Sequence, residues 1–224
     1  MLYEKDKKNN VNMYKIEKMG VIVFENALRL HEDSILLFTN NRFPSAYALS
    51  VLSLEEIGKY FLLEDFVWHS RGDRYTLDEE EAFIKLIYHH RIKQNMFAYQ
   101  NISGFAKKTI KHLETGYVEQ FKQEAIYVGL PRKGGKIDIK GRISIPNNRI
   151  SKQKSEKHIT LLNDFILCLS AGVLKGFYIV DIAALEDVLT QNLIARLNKI
   201  WPKMSISAKK MFDKIMQHPD EYEN

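Results

Sequence analysis

The chain has 224 residues, 45% hydrophobic and 27% charged, with a formal net charge of +5; this is enough apolar material for one domain with a sizeable core, and too mild a charge to demand nucleic acid by itself. A single cysteine, Cys168, excludes an intramolecular disulfide and fits a reducing compartment. No apolar run of about 18 uncharged residues argues for a membrane span, and the charged opening MLYEKDKKNN does not read as a secretory signal. A soluble, cytoplasmic protein with no membrane partner is therefore expected.

Long runs rich in Leu, Ile, Ala, Glu and Lys, with little period-2 alternation and only five prolines, predict an all-α protein, a single helical domain over 1–224. After a polar start, Val21, Phe24, Ala27, Leu28, His31, Ile35 and Phe38 recur at helical spacing and predict a helix over 13–39. Asn40-Asn41-Arg42-Phe43 closes it, and Pro44 suits the first turn of a second helix running to 69. Ser70-Arg71-Gly72-Asp73-Arg74 reads as a turn, and Thr76 with Glu79 as a capping box for a third helix over 77–101. Further helices are expected over 103–113 and 117–124, separated by Glu114-Thr115-Gly116.

The texture changes over 125–148, where Ile126, Tyr127 and Val128 precede Pro131, Gly134, Gly135, Gly141 and Pro146, spaced by Ile-Asp-Ile and Arg-Ile-Ser-Ile. A long basic loop or an irregular β-hairpin laid over the helices is predicted, of a length that is usually functional. Helical texture returns at 151 and leads into 158–174 and 177–197, with Gly172 and Gly176 able to bend the helix or admit a close neighbour. Cys168, inside LLNDFILCLSAGVL, is a core position. Trp201-Pro202 ends this region, and 205–216 forms a last short helix.

The second predicted helix contains AYALSVLSLEEIGKYFLL (46–63), apolar on nearly every side except for Glu55, Glu56 and Lys59. At about 100° per residue, Glu55 shares a face with Ala48, Leu52, Leu62 and Phe66, and Lys59 stacks above both carboxylates. Unpaired charges there would cost several kcal/mol, so they must pair with each other, with a second helix or with a ligand. Gly58, costly in mid-helix by roughly 1 kcal/mol, implies close approach of another helix or a substrate. On the third helix His90 shares the inward stripe with Phe83, Leu86, Ile87, Gln94 and Phe97, with Lys93 about 60° away. If the two helices pack antiparallel, Glu55, Glu56 and Lys59 face His90 and Lys93, a mixture able to do acid–base work or to fix helix register as a buried polar network.

Glu-x-x-His, His-Glu-x-x-His, Walker and Gly-x-Ser-x-Gly patterns do not occur, so neither a metal nor a cofactor is expected. Arg132, Lys133, Lys136, Lys140, Arg142, Arg149, Lys152 and Lys154, followed by Lys157, face only Asp138 and Glu156 in sequence and form a candidate nucleic-acid-binding segment; its alternative is a loop kept soluble by charge.

AYALSVLSLEEIGKYFLL, HRIKQ (90–94), and AIYVGL (125–130) followed by Pro131 and the basic segment resemble the AbiV family of abortive-infection proteins, and through it the all-helical HEPN superfamily, over roughly 15–185. The resemblance implies phage defence by a HEPN-like helical bundle, in which translation is shut down through RNA cleavage or binding of the translation machinery. It further implies a homodimer, with RNA or the ribosome as target and a phage-encoded protein as trigger. Many HEPN domains are metal-independent ribonucleases carrying Arg-x4–6-His, and no arginine of this chain has a histidine at that distance. A nuclease would then use Glu55, Glu56, Lys59, His90 and Lys93, with His90 as general acid or base, a carboxylate orienting it and the lysines stabilising phosphorane charge. The alternative is a non-catalytic module that binds a phage protein or RNA, with the polar cluster purely structural.

Overall fold

A computed structural model describes residues 12–70, 77–100, 102, 104, 107–130, 132–133 and 136–217, the side chains of 77–80 and 132–133 excepted. The polar start, most of the 70–74 turn, the Thr76/Glu79 capping box, Ser103, Pro131, Gly134, Gly135 and the acidic tail lie outside the described residues, as do the side chains of Arg132 and Lys133.

The protein is all-α. Helix α1, Met13–Thr39, begins at Asn12, whose side chain accepts from the Lys15 amide, and ends at Asn40 and Asn41, the latter at φ 59°. Helix α2, Phe43–Ser70, carries Pro44 in its first turn. It is buried on nearly every side because α1, α4, α6 and α8 all pack on it, which is why its sequence lacks a polar stripe. The remaining helices among the described residues are α3 Leu77–Leu86, α4 His90–Gln100, α5 Lys107–Glu114, α6 Tyr117–Ile126, the single turn α7 Pro146–Arg149, α8 Lys152–Leu174, α9 Gln191–Ile200 and α10 Ile206–Met216.

A chain of aromatic contacts ties the central helices together. Phe24 of α1 meets Tyr60 of α2 at 5.3 Å between ring centroids, Phe61 meets Phe165 of α8 at 5.8 Å, and Phe97 of α4 meets the same ring at 4.5 Å. Each fully buried ring of this kind contributes roughly 1.5–3 kcal/mol. Helix α8 is apolar and long enough to cross a membrane, but 72% of its apolar stretch is buried inside the bundle, as befits a core helix. Cys168 lies there with its thiol toward the Ala208 carbonyl, and burial pushes the thiol up to about 12, so it stays protonated.

Two expectations need correction. The third helix does not run unbroken over 77–101: it stops at Leu86 and restarts at His90. No glycine or proline marks the break. Phe83 stacks on Phe66 near the end of α2 at 4.5 Å, while the Lys93 backbone lies against Gly58 in the middle of α2, and the chain kinks over Ile87–His89 between these two anchors. The second correction concerns 177–197, where only Gln191–Ile200 is α-helical and Ala183–Leu185 is a 3-10 turn. Gly176 at φ 70° ends α8, the amides of Phe177 and Tyr178 donate to the Gly172 carbonyl, and the Tyr178 ring folds onto Gly172 so closely that a Cβ there would be 1.9 Å from it. Thr190 then caps α9.

In its described residues the segment over 125–148 is an irregular hairpin. Arg132–Lys133 pairs antiparallel with Lys136–Ile137, and a single bridge joins Gly129 to Ser144.

Candidate functional site

Gly58 sets the geometry. A Cβ at this position would stand 1.9 Å from the Lys93 carbonyl oxygen, so only glycine lets α4 lie this close to α2. One turn earlier on α2, Glu55 is 1% exposed and meets the first turn of α4. His90, Lys93 and Gln94 share one face of that turn. Glu55 Oε2 accepts from His90 Nδ1 at 2.6 Å and lies 3.8 Å from Lys93 Nζ, while Oε1 accepts from Gln94 Nε2 at 2.8 Å.

Helix α6 closes the cluster from a third side. Lys122 Nζ donates to Glu55 Oε1 and to Glu119 Oε2, at 2.7 Å each. Glu119 also accepts from Gln123 and, at 3.3 Å, from Gln94. Burial pushes the Glu119 carboxyl up, but its hydrogen bonds from Lys122 and Gln123 outweigh this and hold it below the usual range. Burial lowers the Lys93 ammonium, against the pull of Glu55 and Glu56.

The cluster therefore has a sealed part and an open part. Glu55, Lys93, Gln94 and Lys122 are buried, whereas the His90 side chain is 54% exposed. A contact of 2.6 Å between Nδ1 and a carboxylate oxygen requires the proton on Nδ1. Lys122 Nζ, 3.4 Å from the same nitrogen, is then not a donor to it, and Nε2 is the nitrogen left for chemistry. Glu55, His90 and Glu119 bring one donor atom each within 4.8 Å of one another, a spacing able to hold a cation. The Lys122 ammonium already bridges the two carboxylates, and together with Lys93 it balances their charge.

Of the sequence-predicted residues, the structure thus joins Glu55, His90 and Lys93. Glu56 turns to α1 instead, accepting from Asn26 Nδ2 at 3.2 Å. Lys59 lies beside the cluster with Nζ 5.7 Å from the Tyr88 ring centroid, in the kink before His90. Lys122 and Glu119 escaped the sequence reading. The available signal was Val118-Lys122-Ala125, a lysine at the centre of the buried stripe of α6.

In the basic segment, Lys136, Lys140, Arg142 and Lys152 are exposed. Arg149 instead forms a bidentate pair with Glu124, both contacts at 2.9 Å, which raises the guanidinium and holds the Glu124 carboxyl down despite its burial. Lys154 donates to the Arg149 carbonyl at 3.0 Å and sits 3.5 Å over the Phe121 ring. These two residues fasten α7 and α8 to α6.

The model of one protein family, HEPN_AbiV (AbiV), matches residues 15–166, a span that includes every member of the cluster. No curated protein and no solved structure matches the chain.

Proposed function

The chain belongs to the AbiV family of HEPN proteins, an abortive-infection, phage-defence family, and from this premise we propose that it blocks phage multiplication by shutting down translation, acting on RNA through His90. One observation carries the reading: a half-exposed imidazole held at 2.6 Å by a buried carboxylate. Such a pairing fixes the ring and its tautomer and leaves Nε2 as a base. In this reading Nε2 takes the proton of a ribose 2′-hydroxyl, the freed oxygen attacks the adjacent phosphorus, and the 5′-oxygen departs with a proton from water. The products are a 2′,3′-cyclic phosphate and a 5′-hydroxyl end. Glu55 is a positioning residue, and the buried Lys93 and Lys122 act on Glu55 rather than on substrate. Lys59, beside Tyr88, supplies positive charge near the outer edge of the cluster.

Adding purified protein to a cell-free translation mixture tests this, with peptide synthesis and RNA ends both read. Translation is expected to stop as fragments with cyclic-phosphate ends accumulate, and His90→Ala is expected to abolish both effects.

A second reading is favoured by the burial of Glu55, Lys93, Gln94 and Lys122, which is that of a network fixing how three helices pack. The protein is then a non-catalytic module that binds a phage product or the translation machinery. Translation arrested with RNA intact, and defence retained by His90→Ala, would select it.

A further inference from the structure

Eight of the large apolar side chains that the described residues expose lie between Ile126 and Ile145, on the irregular hairpin. Single exposed apolar residues are ordinary, but a contiguous set with no role in the core marks a surface that meets something. Two features of the hairpin make this set contiguous and show what it fits.

The first is an outward apolar face. Gly129 and Ser144 exchange backbone hydrogen bonds at 3.1 and 2.7 Å, and Ser144 is buried. Alternation along each strand turns their neighbours the other way, Val128 and Leu130 on one strand and Ile143 and Ile145 on the other. All four are exposed, so they share one face directed away from the helices.

The second is the turn over 138–141. The Gly141 amide donates to the Asp138 carbonyl, and the Asp138 carboxylate accepts from the Lys140 amide, both at 3.1 Å, so the turn is fixed from within by its own aspartate. Its central residues are Ile139 and Lys140, where small or polar residues are usual, and Ile139 is 81% exposed. Nothing in the turn itself requires an isoleucine there. Lys136, Lys140 and Arg142 are exposed on either side of Ile139 and have no acidic partner among the described residues.

Composition selects the occupant. Between Lys136 and Ile145 the exposed apolar residues are all isoleucine and none is aromatic. A single-stranded nucleic acid would use the cations but needs rings to stack on, and it gives the isoleucines no role. The core of a protein interface favours aromatic residues and methionine and is depleted in lysine. Aliphatic side chains interleaved with Lys and Arg suit the boundary of a bilayer, where the apolar groups enter the acyl region and the cations stay at the headgroups. Three unpaired positive charges specify that the headgroups are anionic.

We propose that this hairpin attaches the protein to an anionic phospholipid bilayer. Ile139 and the outward face of Val128, Leu130, Ile143 and Ile145 enter the interface, and Lys136, Lys140 and Arg142 meet the lipid phosphates. Such attachment needs no spanning segment, so it departs from the expectation of no membrane partner, which rested on span length and on the opening residues. It is independent of the role given to His90.

Co-sedimentation of the full chain with vesicles tests the proposal, using phosphatidylcholine alone and an equimolar mixture with phosphatidylglycerol. Binding to the mixed vesicles is expected to be at least about tenfold tighter than to phosphatidylcholine, and both I139S/I143S and K140E/R142E are expected to weaken it by about tenfold or more. In I139W, the mixed vesicles are expected to shift tryptophan emission to the blue beyond any shift in wild type. All these side chains are on the surface, and unchanged thermal melts confirm that the variants fold. Four results would overturn the proposal: no binding to the mixed vesicles, equal binding to phosphatidylcholine alone, binding lost in K140E/R142E but unchanged in I139S/I143S, or binding unchanged in both. A single-stranded RNA hexamer bound through Lys140 and Arg142 in the absence of vesicle binding would assign the cations to RNA and overturn it as well.

Discussion

The Lys93 carbonyl rests on the bare α-carbon of Gly58, where a methyl group would meet it at 1.9 Å. This contact seats the first turn of α4 on α2, and it is the reason that Glu55 and His90, thirty-five residues apart, share a hydrogen bond.

Gly58→Ala should therefore damage fold and site together. Overpacking costs about 1–3 kcal/mol and alanine returns about 1 kcal/mol in helix propensity; because the clash is with backbone, which no side-chain rotation relieves, the cost falls at the upper end and the net effect should be destabilising by about 2 kcal/mol. Urea denaturation measures it. Gly129→Ala, where an added Cβ meets nothing within 4 Å, is the control and should leave stability nearly unchanged.

His90→Ala separates chemistry from architecture better than any change to Glu55. The ring is half exposed, so stability should change by less than about 1 kcal/mol, while protection against phage is lost if Nε2 is the reacting group. Glu55→Gln should cost several times as much stability, roughly 3 kcal/mol, because buried Lys93 loses its counter-charge and Lys122 keeps only Glu119. Thermal melts beside plaque assays on both variants distinguish the two effects.

Lys122→Met tests whether the ammonium is what allows two carboxylates to share one site. Alone it should destabilise by about 3–5 kcal/mol, leaving Glu55 and Glu119 face to face. Adding Glu119→Gln should restore part of that loss, a non-additive pair that a double-mutant cycle in urea detects.

Neutralising Lys136, Lys140, Arg142 and Lys152 tests the exposed basic segment. If it contacts RNA, affinity should fall and the salt slope should flatten by up to about 0.7 per lost phosphate contact. Arg149→Ala should instead lower stability, since it frees α7 from Glu124. Filter binding across a salt series reads the first effect, and thermal melting the second.

Glu64 predicts a pH dependence. Burial raises its carboxyl to about 7 even though it accepts from Tyr60 Oη at 2.7 Å and from the Asp181 amide. The folded state thus keeps a proton that the unfolded chain releases near pH 4.5, so this group's contribution is full below that pH and is lost as pH rises toward 7. Glu64→Gln should gain on wild type over this window, reaching on the order of 3 kcal/mol by pH 8. His31 and His158, lowered by burial to about 4, act with the opposite sign in both proteins, costing stability as pH falls from 6.5 toward 4, so the difference between the two curves isolates Glu64.

Periodicity and composition alone carried the helical class, the first two helices almost to the residue, and the need of Glu55, Gly58, His90 and Lys93 for partners. Each of these is local: hydrophobic periodicity, caps, and the cost of a charge or a glycine on an apolar face. Which partners they found depended on how the helices pack. The kink at Ile87–His89 has no local signal, because it comes from two separate anchors of α3 and α4 on α2. Lys122 enters from a helix that the sequence could not orient, turning a suspected pair of clusters into a three-helix network. Glu56 and Lys59 carry the same charges as their neighbours but point along other radii of α2, and their distance from the buried centre was set by which helices packed where.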